Sequence, residues 1–276
     1  MVCTFNGEKF VEEQLVSILN QSVRPKEIII SDDGSLDKTC ILIELLFEQY
    51  EFYNYRIIHG PQNGLEHNFL SALKYTSCDW VFLSDQDDIW FKDKVLLMLE
   101  NNFSIKTPCL IYSDAILIDE YGNKTYNSFI KYQGLDKRVL LDDSIFFRNC
   151  IQGASLCINI ELKNLIVKNY SIKNTNIVIH DWWIALFARY FGEIIFINKS
   201  LFGYRQHSNN QIGAKNRIVS ILQILQNRDE YFSMIIKLKK QKICFTKIYS
   251  KYNNKPIRNK YKYIGLIKKI LVLLKL

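Results

Sequence analysis

The apolar run Trp80-Val81-Phe82-Leu83 passes without a break into Ser84-Asp85-Gln86-Asp87-Asp88-Ile89-Trp90, so three carboxylates fall within four residues at its end. A short, continuous apolar run predicts a buried strand. Carboxylates at the end of such a strand are costly unless a positive partner meets them. In an open α/β sheet, ligands bind at the carboxyl ends of the strands. A divalent cation holding a diphosphate is the simplest partner, because Mg²⁺ takes one or two carboxylates together with phosphate oxygens. The plainer alternative is an acidic loop that caps the next predicted helix, Phe91 to Asn102.

The same strand-then-polar-loop pattern precedes it. A short strand ends near Phe5, and Phe10, Val11, Gln14, Leu15, Ile18 and Leu19 follow as a helical stripe. Glu27 to Ser31 predicts a buried strand, Asp32-Asp33-Gly34-Ser35 a turn, and Asp37 or Ser35 a cap for a helix through Tyr50. Arg56-Ile57-Ile58 is a third strand, and Asn63-Gly64 turns into a helix from Glu66 to Tyr75. Repeated βα units predict an α/β fold, a Rossmann-like and mostly parallel sheet with flanking helices. Leu110 to Tyr112 and Ala115 to Ile118 read as two further strands, with a hairpin turn at Asp119 to Asn123. The pattern loosens from 125 to 180, after which His180 to Phe191 predicts a helix and Ile194 to Ile197 a strand. An acid after the second strand of such a unit often binds a nucleotide's ribose or base. Asp32 and Asp33 are therefore candidate nucleotide contacts, with a plain capped turn as the alternative. Thr4-Phe5-Asn6-Gly7-Glu8 ends the first strand, so three polar loops converge on one rim.

Charge divides the chain in two. Residues 213–276 hold 16 Lys and Arg against two acids, a net of +14, while 1–212 hold 20 against 26, a net of −6. A basic tail on an acidic body predicts contact with a polyanion. Amphipathic helices are predicted around Ile218 to Leu225 and Tyr231 to Tyr249, with a break at Asn253-Asn254-Lys255-Pro256. Tyr261 to Leu276 is too short and too charged to span a bilayer and suits an interfacial helix on an anionic membrane surface. The alternative is a helix packed on the preceding domain. Nucleic acid is not the expected partner, because no stacking platform or nucleic-acid motif is present. Seven scattered cysteines without a C-x-x-C argue against a disulfide framework or a zinc site and for a reducing compartment. With no secretory-signal pattern at Met1-Val2-Cys3-Thr4, the expected location is cytoplasmic, peripheral on the inner face of the cell membrane.

Seven short motifs in order resemble the inverting family-2 glycosyltransferases. Thr4-Phe5-Asn6-Gly7-Glu8, Ser31-Asp32-Asp33-Gly34-Ser35, Asn63-Gly64 and Ser84 to Trp90 resemble the nucleotide-sugar half. Gln152-Gly153-Ala154-Ser155, His180-Asp181-Trp182-Trp183 and Tyr204-Arg205-Gln206-His207 with Asn209-Asn210 resemble the acceptor half. The nearest subgroup is the rhamnosyltransferase-like enzymes of bacterial surface-polysaccharide synthesis. The resemblance implies a GT-A fold over about 1–212, with the nucleotide half at about 1–120 and the acceptor half at about 121–212, followed by the basic tail.

It also implies roles. Phe5 would lie against the base, Asp33 would hydrogen-bond it, and Thr4, Asn6, Glu8 and Asp32 would shape the nucleotide loop. Asp85 would sit near ribose and metal, Asp87 would be the main ligand of Mg²⁺ or Mn²⁺, and His207 would complete the metal site or contact the diphosphate. Asp181 would be the general base, with capping of its helix as the plainer reading. Gln152, Trp182, Trp183 and Arg205 would face the acceptor, although core is the default for at least one of the tryptophans. The partners implied are a dTDP- or UDP-linked sugar and a lipid-linked glycan.

Two departures qualify the resemblance. Family members carry several more residues before the first loop, so either the chain is truncated at its start or the first strand is unusually short. A catalytically impaired nucleotide-sugar-binding or membrane scaffold protein is therefore the main alternative. The Q-x-x-R-W pattern of processive members is absent, which predicts addition of a single sugar. A nucleotidyltransferase is disfavoured because no basic, glycine-rich signature stands near the amino end.

Overall fold

The computed structural model of the chain describes residues 1–100, 106–173, 176–208, 228–253 and 257. Three strands, β1 (Val2–Thr4), β2 (Ile28–Asp32) and β3 (Tyr55–His59), run parallel, with Val2 opposite Ile30 and Ile30 opposite Ile57. Two helices join them, α1 (Val11–Leu19) and α2 (Thr39–Gln49). α1 buries Val11, Leu15, Ile18 and Leu19 along one face, and α2 buries Ile43, Leu46 and Phe47. With Ile28 and Ile30 these form one core cluster. The predicted cap of α2 is displaced by one step. Asp37 accepts the N–H of Thr39 at 3.0 Å, whereas the Ser35 hydroxyl turns back to Asp32.

α3 (Leu65–Ala72) closes with a 3₁₀ turn at Leu73–Tyr75 and leads into β4 (Trp80–Phe82). A parallel bridge between Val2 and Ser84 ties this strand to β1. Parallel alignment puts the carboxyl ends of β1 to β4 on one rim, where the loops 5–8, 32–38, 60–64 and 85–88 meet. The acidic loop continues through β5 (Ile89–Trp90) to α4 (Lys94–Leu99), which is shorter than predicted.

Beyond it lie β6 (Cys109–Ile118), β7 (Lys124–Tyr126), α5 (Phe129–Tyr132), β8 (Leu156–Asn159), α6 (Ile160–Asn169), α7 (His180–Phe191) and β9 (Glu193–Arg205). The order across this part of the sheet is β4-β8-β6-β9-β5, with β7 beside β6. Here the sheet is mixed. β8 is antiparallel to β4 and β6, while β9 is parallel to β6 and antiparallel to β5. β8 is entered through a 3₁₀ turn at Gly153–Ser155 rather than a crossover helix, so nothing forces parallel pairing. The two strands expected near 110–118 are one strand, β6, with a register shift at Asp114. The Asp114 carboxylate accepts the N–H groups of Ala115 and Ile130 at 2.8 and 3.1 Å, which explains the polar interruption.

α7 is buried from His180 to Ala188 because it is covered on both sides. One cover is α8 (Arg228–Tyr252), the first part of the basic tail that is described. Leu238, Phe245 and Ile248 of α8 belong to the main core cluster, and the Phe245 ring lies 5.3 Å from Phe187 and 6.0 Å from Trp183. For this helix the packed alternative holds on its inner face. Asn209-Asn210, the helix around 218–225, Asn254 to Pro256 and the segment 261–276 lie outside the described residues. No helix among the described residues is long and apolar enough to cross a membrane.

Candidate active site

The first two rim loops are locked to each other by their own polar groups. Asp32 is buried, and it accepts the Thr4 hydroxyl at 2.7 Å, the Ser35 hydroxyl at 2.6 Å and the N–H groups of Ser35 and Gly34 at 2.8 and 3.1 Å. Burial raises its carboxyl, but these donors outweigh that and hold it below the usual range. Thr4 and Asp32 are thus internal braces. Asn6, in a left-handed conformation, receives the Leu36 N–H on its side chain at 2.9 Å and donates its own N–H to the Ser35 hydroxyl at 2.8 Å. Glu8 accepts the Lys38 N–H at 3.0 Å. Asp33 accepts the Gln62 N–H at 2.7 Å on one oxygen, and Phe5 stands exposed beside it on the rim. Burial pushes the Asp33 carboxyl up.

Gln86 carries a role that motif order did not reveal. Its side-chain oxygen accepts the Phe5 N–H at 2.8 Å and its nitrogen donates to the Phe5 carbonyl at 3.0 Å. This two-point clamp fixes the acidic loop to the first loop across 81 residues.

Within the acidic loop, the Asp87 carboxylate lies 2.8 Å from His207 Nε2 at the end of β9, and both side chains are largely buried. The His207 ring packs on Phe10. Among the described residues no three His, Cys, Asp or Glu side chains converge as a ligand set, so the pair is Asp87 and His207. One carboxylate and one imidazole leave the remaining positions of a Mg²⁺ or Mn²⁺ ion to diphosphate and water oxygens, and that donor set fits either cation.

Arg205, expected to face the acceptor, is turned inward instead. It is 1% exposed. Its N–H donates to Asp88 at 3.0 Å, and its guanidinium donates to the carbonyls of Asp87 and Glu120 at 2.7 and 2.8 Å and pairs with Glu13. The loop's positive partner is therefore a protein side chain at its back. A second one lies below. Lys94 is fully buried, donates to the Ala154 carbonyl at 2.8 Å, and sits 4.0 and 4.2 Å from the ring centres of Trp90 and Phe202. Burial lowers its ammonium, with Asp88 and Asp85 opposing that shift. Burial raises the Asp85 and Asp88 carboxyls, and the charge of Asp87 raises both further. Nothing in the sequence separates Lys94 from a surface lysine.

Across the cleft stands Asp181, in the first turn of α7. Its carboxylate accepts the Asn149 amide at 2.9 Å. Burial pushes its carboxyl up to about 7. Its charge raises the Asp85 carboxyl, so the base candidate lies within electrostatic reach of the acidic loop. The helix-cap alternative is not realised, since Ile179 stands at the cap of α7 and no side chain caps it. Gln152 lies on the same wall with both side-chain amide atoms buried and unpaired. His180, stacked 4.0 Å from Phe69, is buried with both ring nitrogens unpaired, and burial holds it down at about 3. The tryptophans are core rather than an open wall. Trp183 is fully buried against Phe187 and Phe245, and Trp182 is 9% exposed with its indole N–H on the Ile145 carbonyl.

Residues 1–145 match the model of Glycosyl transferase family 2. Over 229 residues the chain is 31% identical to a dTDP-rhamnosyl transferase, RfbG, of Shigella flexneri, covering 77% of this chain and 74% of that one. It is 25% identical over 190 residues, 66% of each chain, to an Escherichia coli UDP-Glc:alpha-D-GlcNAc-diphosphoundecaprenol beta-1,3-glucosyltransferase, WfgD. Among solved structures, S. aureus TarS 1-349 with UDP-GlcNAc aligns at a TM-score of 0.55 and 16% identity, over 97% of this chain and 76% of that one. The mannosyltransferase PcManGT of Pyrobaculum calidifontis with GDP-Man and Mn²⁺ aligns at 0.54 and 13%, over 99% and 77%.

Proposed function

The chain belongs to glycosyl transferase family 2 and has its GT-A fold, and from that premise we propose that it moves one sugar, rhamnose or a hexose, from a dTDP- or UDP-linked donor to a lipid-linked glycan with inversion. One observation carries the reading. Asp181, a buried carboxylate free of any basic partner in its immediate bonding, faces the loop that bears Asp85 and Asp87. An inverting transfer needs a base on one side of the sugar and an anion acceptor site on the other.

In this reading Phe5 covers the base and the second oxygen of Asp33 is available to it. Gln86 and Asp32 hold those loops in register. Asp87 and His207 hold a divalent cation, whose chemistry is to neutralise the charge gathering on the leaving diphosphate. The bond from the anomeric carbon to the diphosphate breaks as the acceptor hydroxyl attacks from the opposite face, and Asp181 takes that hydroxyl's proton. Gln152 offers an unpaired amide to the acceptor. The work takes place at the cytoplasmic membrane surface, where a lipid-linked acceptor would lie. RfbG, a dTDP-rhamnosyl transferase, and WfgD, a glucosyltransferase acting on a diphosphoundecaprenol-linked sugar, support the donor and acceptor classes.

A panel of dTDP-, UDP- and GDP-sugars, offered with Mn²⁺ or EDTA and a diphosphoundecaprenol-linked sugar, tests this. The expected result is one preferred donor, loss of turnover in EDTA, and an inverted product. Retention at the anomeric carbon, or donor binding with no turnover for any donor, would overturn it, and the latter would favour a scaffold role.

A further inference from the structure

The outer face of α8 has no partner among the described residues. Phe232, Ile236, Lys240, Ile243, Lys247 and Lys251 follow one another at steps of four, four, three, four and four, so they form one stripe along the helix, and all six are exposed. Ile243 is 54% exposed and Phe232 44%. The opposite face, Leu238, Gln241, Phe245 and Ile248, is buried on the body. From 231 to 253 the chain has no acid, whereas the body from 1 to 212 has a net charge of −6. A merely solvated face has no reason to keep three large apolar side chains among its lysines.

We propose that this stripe is the docking surface for an anionic lipid bilayer. Its aliphatic and aromatic side chains would enter the headgroup boundary while Lys240, Lys247 and Lys251 meet lipid phosphates. Charge complementarity decides the occupant. An acidic protein would match the lysines but gains little from isolated apolar groups spread over about three turns, and a nucleic acid would gain nothing from them. The helix is 25 residues long, roughly 37 Å at 1.5 Å per residue, so it offers an extended line of contact. α8 also packs on α7, whose first turn carries Asp181. Docking by this face therefore fixes the orientation of the base-bearing helix relative to the bilayer. The proposal deepens the lipid-linked acceptor reading and rests on it only for its purpose.

The test is co-sedimentation of the full chain with phosphatidylcholine vesicles, with and without about 30 mol % phosphatidylglycerol. Wild-type protein is expected to bind only the anionic vesicles, and less as salt rises. The variant K240Q/K247Q/K251Q keeps good helix formers and leaves 258–276 untouched. It should lose more than about tenfold in partition, since each lysine near the surface contributes severalfold. Donor binding should be unchanged in both proteins, so failure of the surface and failure of the catalytic reading show in different measurements. As a second reporter, I243W should shift its fluorescence to the blue on adding anionic vesicles. Equal vesicle binding by wild type and the triple variant would overturn the proposal, as would no blue shift. Wild-type binding to DNA but not to vesicles would overturn it in favour of a nucleic-acid partner.

Discussion

The two walls of the cleft are built on opposite principles. On the donor wall nearly every polar group has an internal partner: Asp32 takes four donors, Asn6 and Glu8 tie their loop to the next, and Gln86 clamps Phe5 at both backbone atoms. On the acceptor wall Gln152 and His180 leave four buried polar atoms without a partner among the described residues, against Asp88 Oδ2 alone in the acidic loop. A satisfied wall is rigid before its ligand arrives. An unsatisfied wall stores desolvation cost that a hydroxyl-rich ligand or water can relieve. The contrast suits an enzyme whose donor must be gripped in one pose and whose acceptor arrives second.

The comparison breaks most visibly at the donor wall. Asp87→Ala should lower transfer by more than about 10³-fold, because the leaving diphosphate loses its charge partner, and it should abolish metal-dependent nucleotide binding by calorimetry. Near wild-type turnover, or full activity in EDTA, would remove the metal pair from the account.

Asp181→Asn comes next, at roughly 10²–10⁴-fold in kcat with donor binding intact. A stability measurement reads the same residue independently. The folded carboxyl stands at about 7, above an unfolded value near 3.9, so the folded state binds the extra proton between those limits. Asp181 therefore costs stability progressively as pH rises from about 4 to 7, and Asp181→Asn should remove that slope from the melting temperature of donor-free protein. An unchanged slope would mean the carboxyl is not held up by burial.

A smaller effect is expected at the back of the acidic loop. Arg205→Met should destabilise by about 3 kcal/mol, since it leaves the carbonyls of Asp87 and Glu120 and the Glu13 carboxylate without their guanidinium donor, and it should weaken donor binding although Arg205 touches no donor. Loss of acceptor KM alone would return Arg205 to the acceptor face.

The smallest effect sharpens the contrast. Gln152→Ala removes no internal hydrogen bond of its side chain, so stability should change by less than about 0.5 kcal/mol. Acceptor KM should rise roughly tenfold with donor KM unchanged, consistent with a loss of one or two ligand hydrogen bonds. A large fall in melting temperature would show that Gln152 is already paired, by water, in the resting protein.

The donor wall was legible in the sequence because its chemistry is local. Asp-Asp-Gly-Ser favours a turn that bonds its own N–H groups, and an apolar run ending in three acids favours a buried strand whose end carries charge. Asp181 and His207 were legible only through resemblance, since one acid at a helix start and one histidine after a strand each have a plainer reading. Gln86, Asn149 and Lys94 were not legible in their roles, because each acts on a residue many positions away. Trp183 and Arg205 looked like surface chemistry and proved to be interior.

The sequence by itself determined the βα repeat, the rim of acidic loops, the family and the sign of the tail, because hydrophobic period, turn residues and charge are properties of neighbours along the chain. Tertiary structure alone decided which way Arg205 points, that Asp87 meets His207 at 2.8 Å across 120 residues, and that β8 enters the sheet antiparallel. It also decided that α8 is core on one face and open on the other. A helix stripe fixes which residues share a face, but only the packing of another element fixes which face is covered.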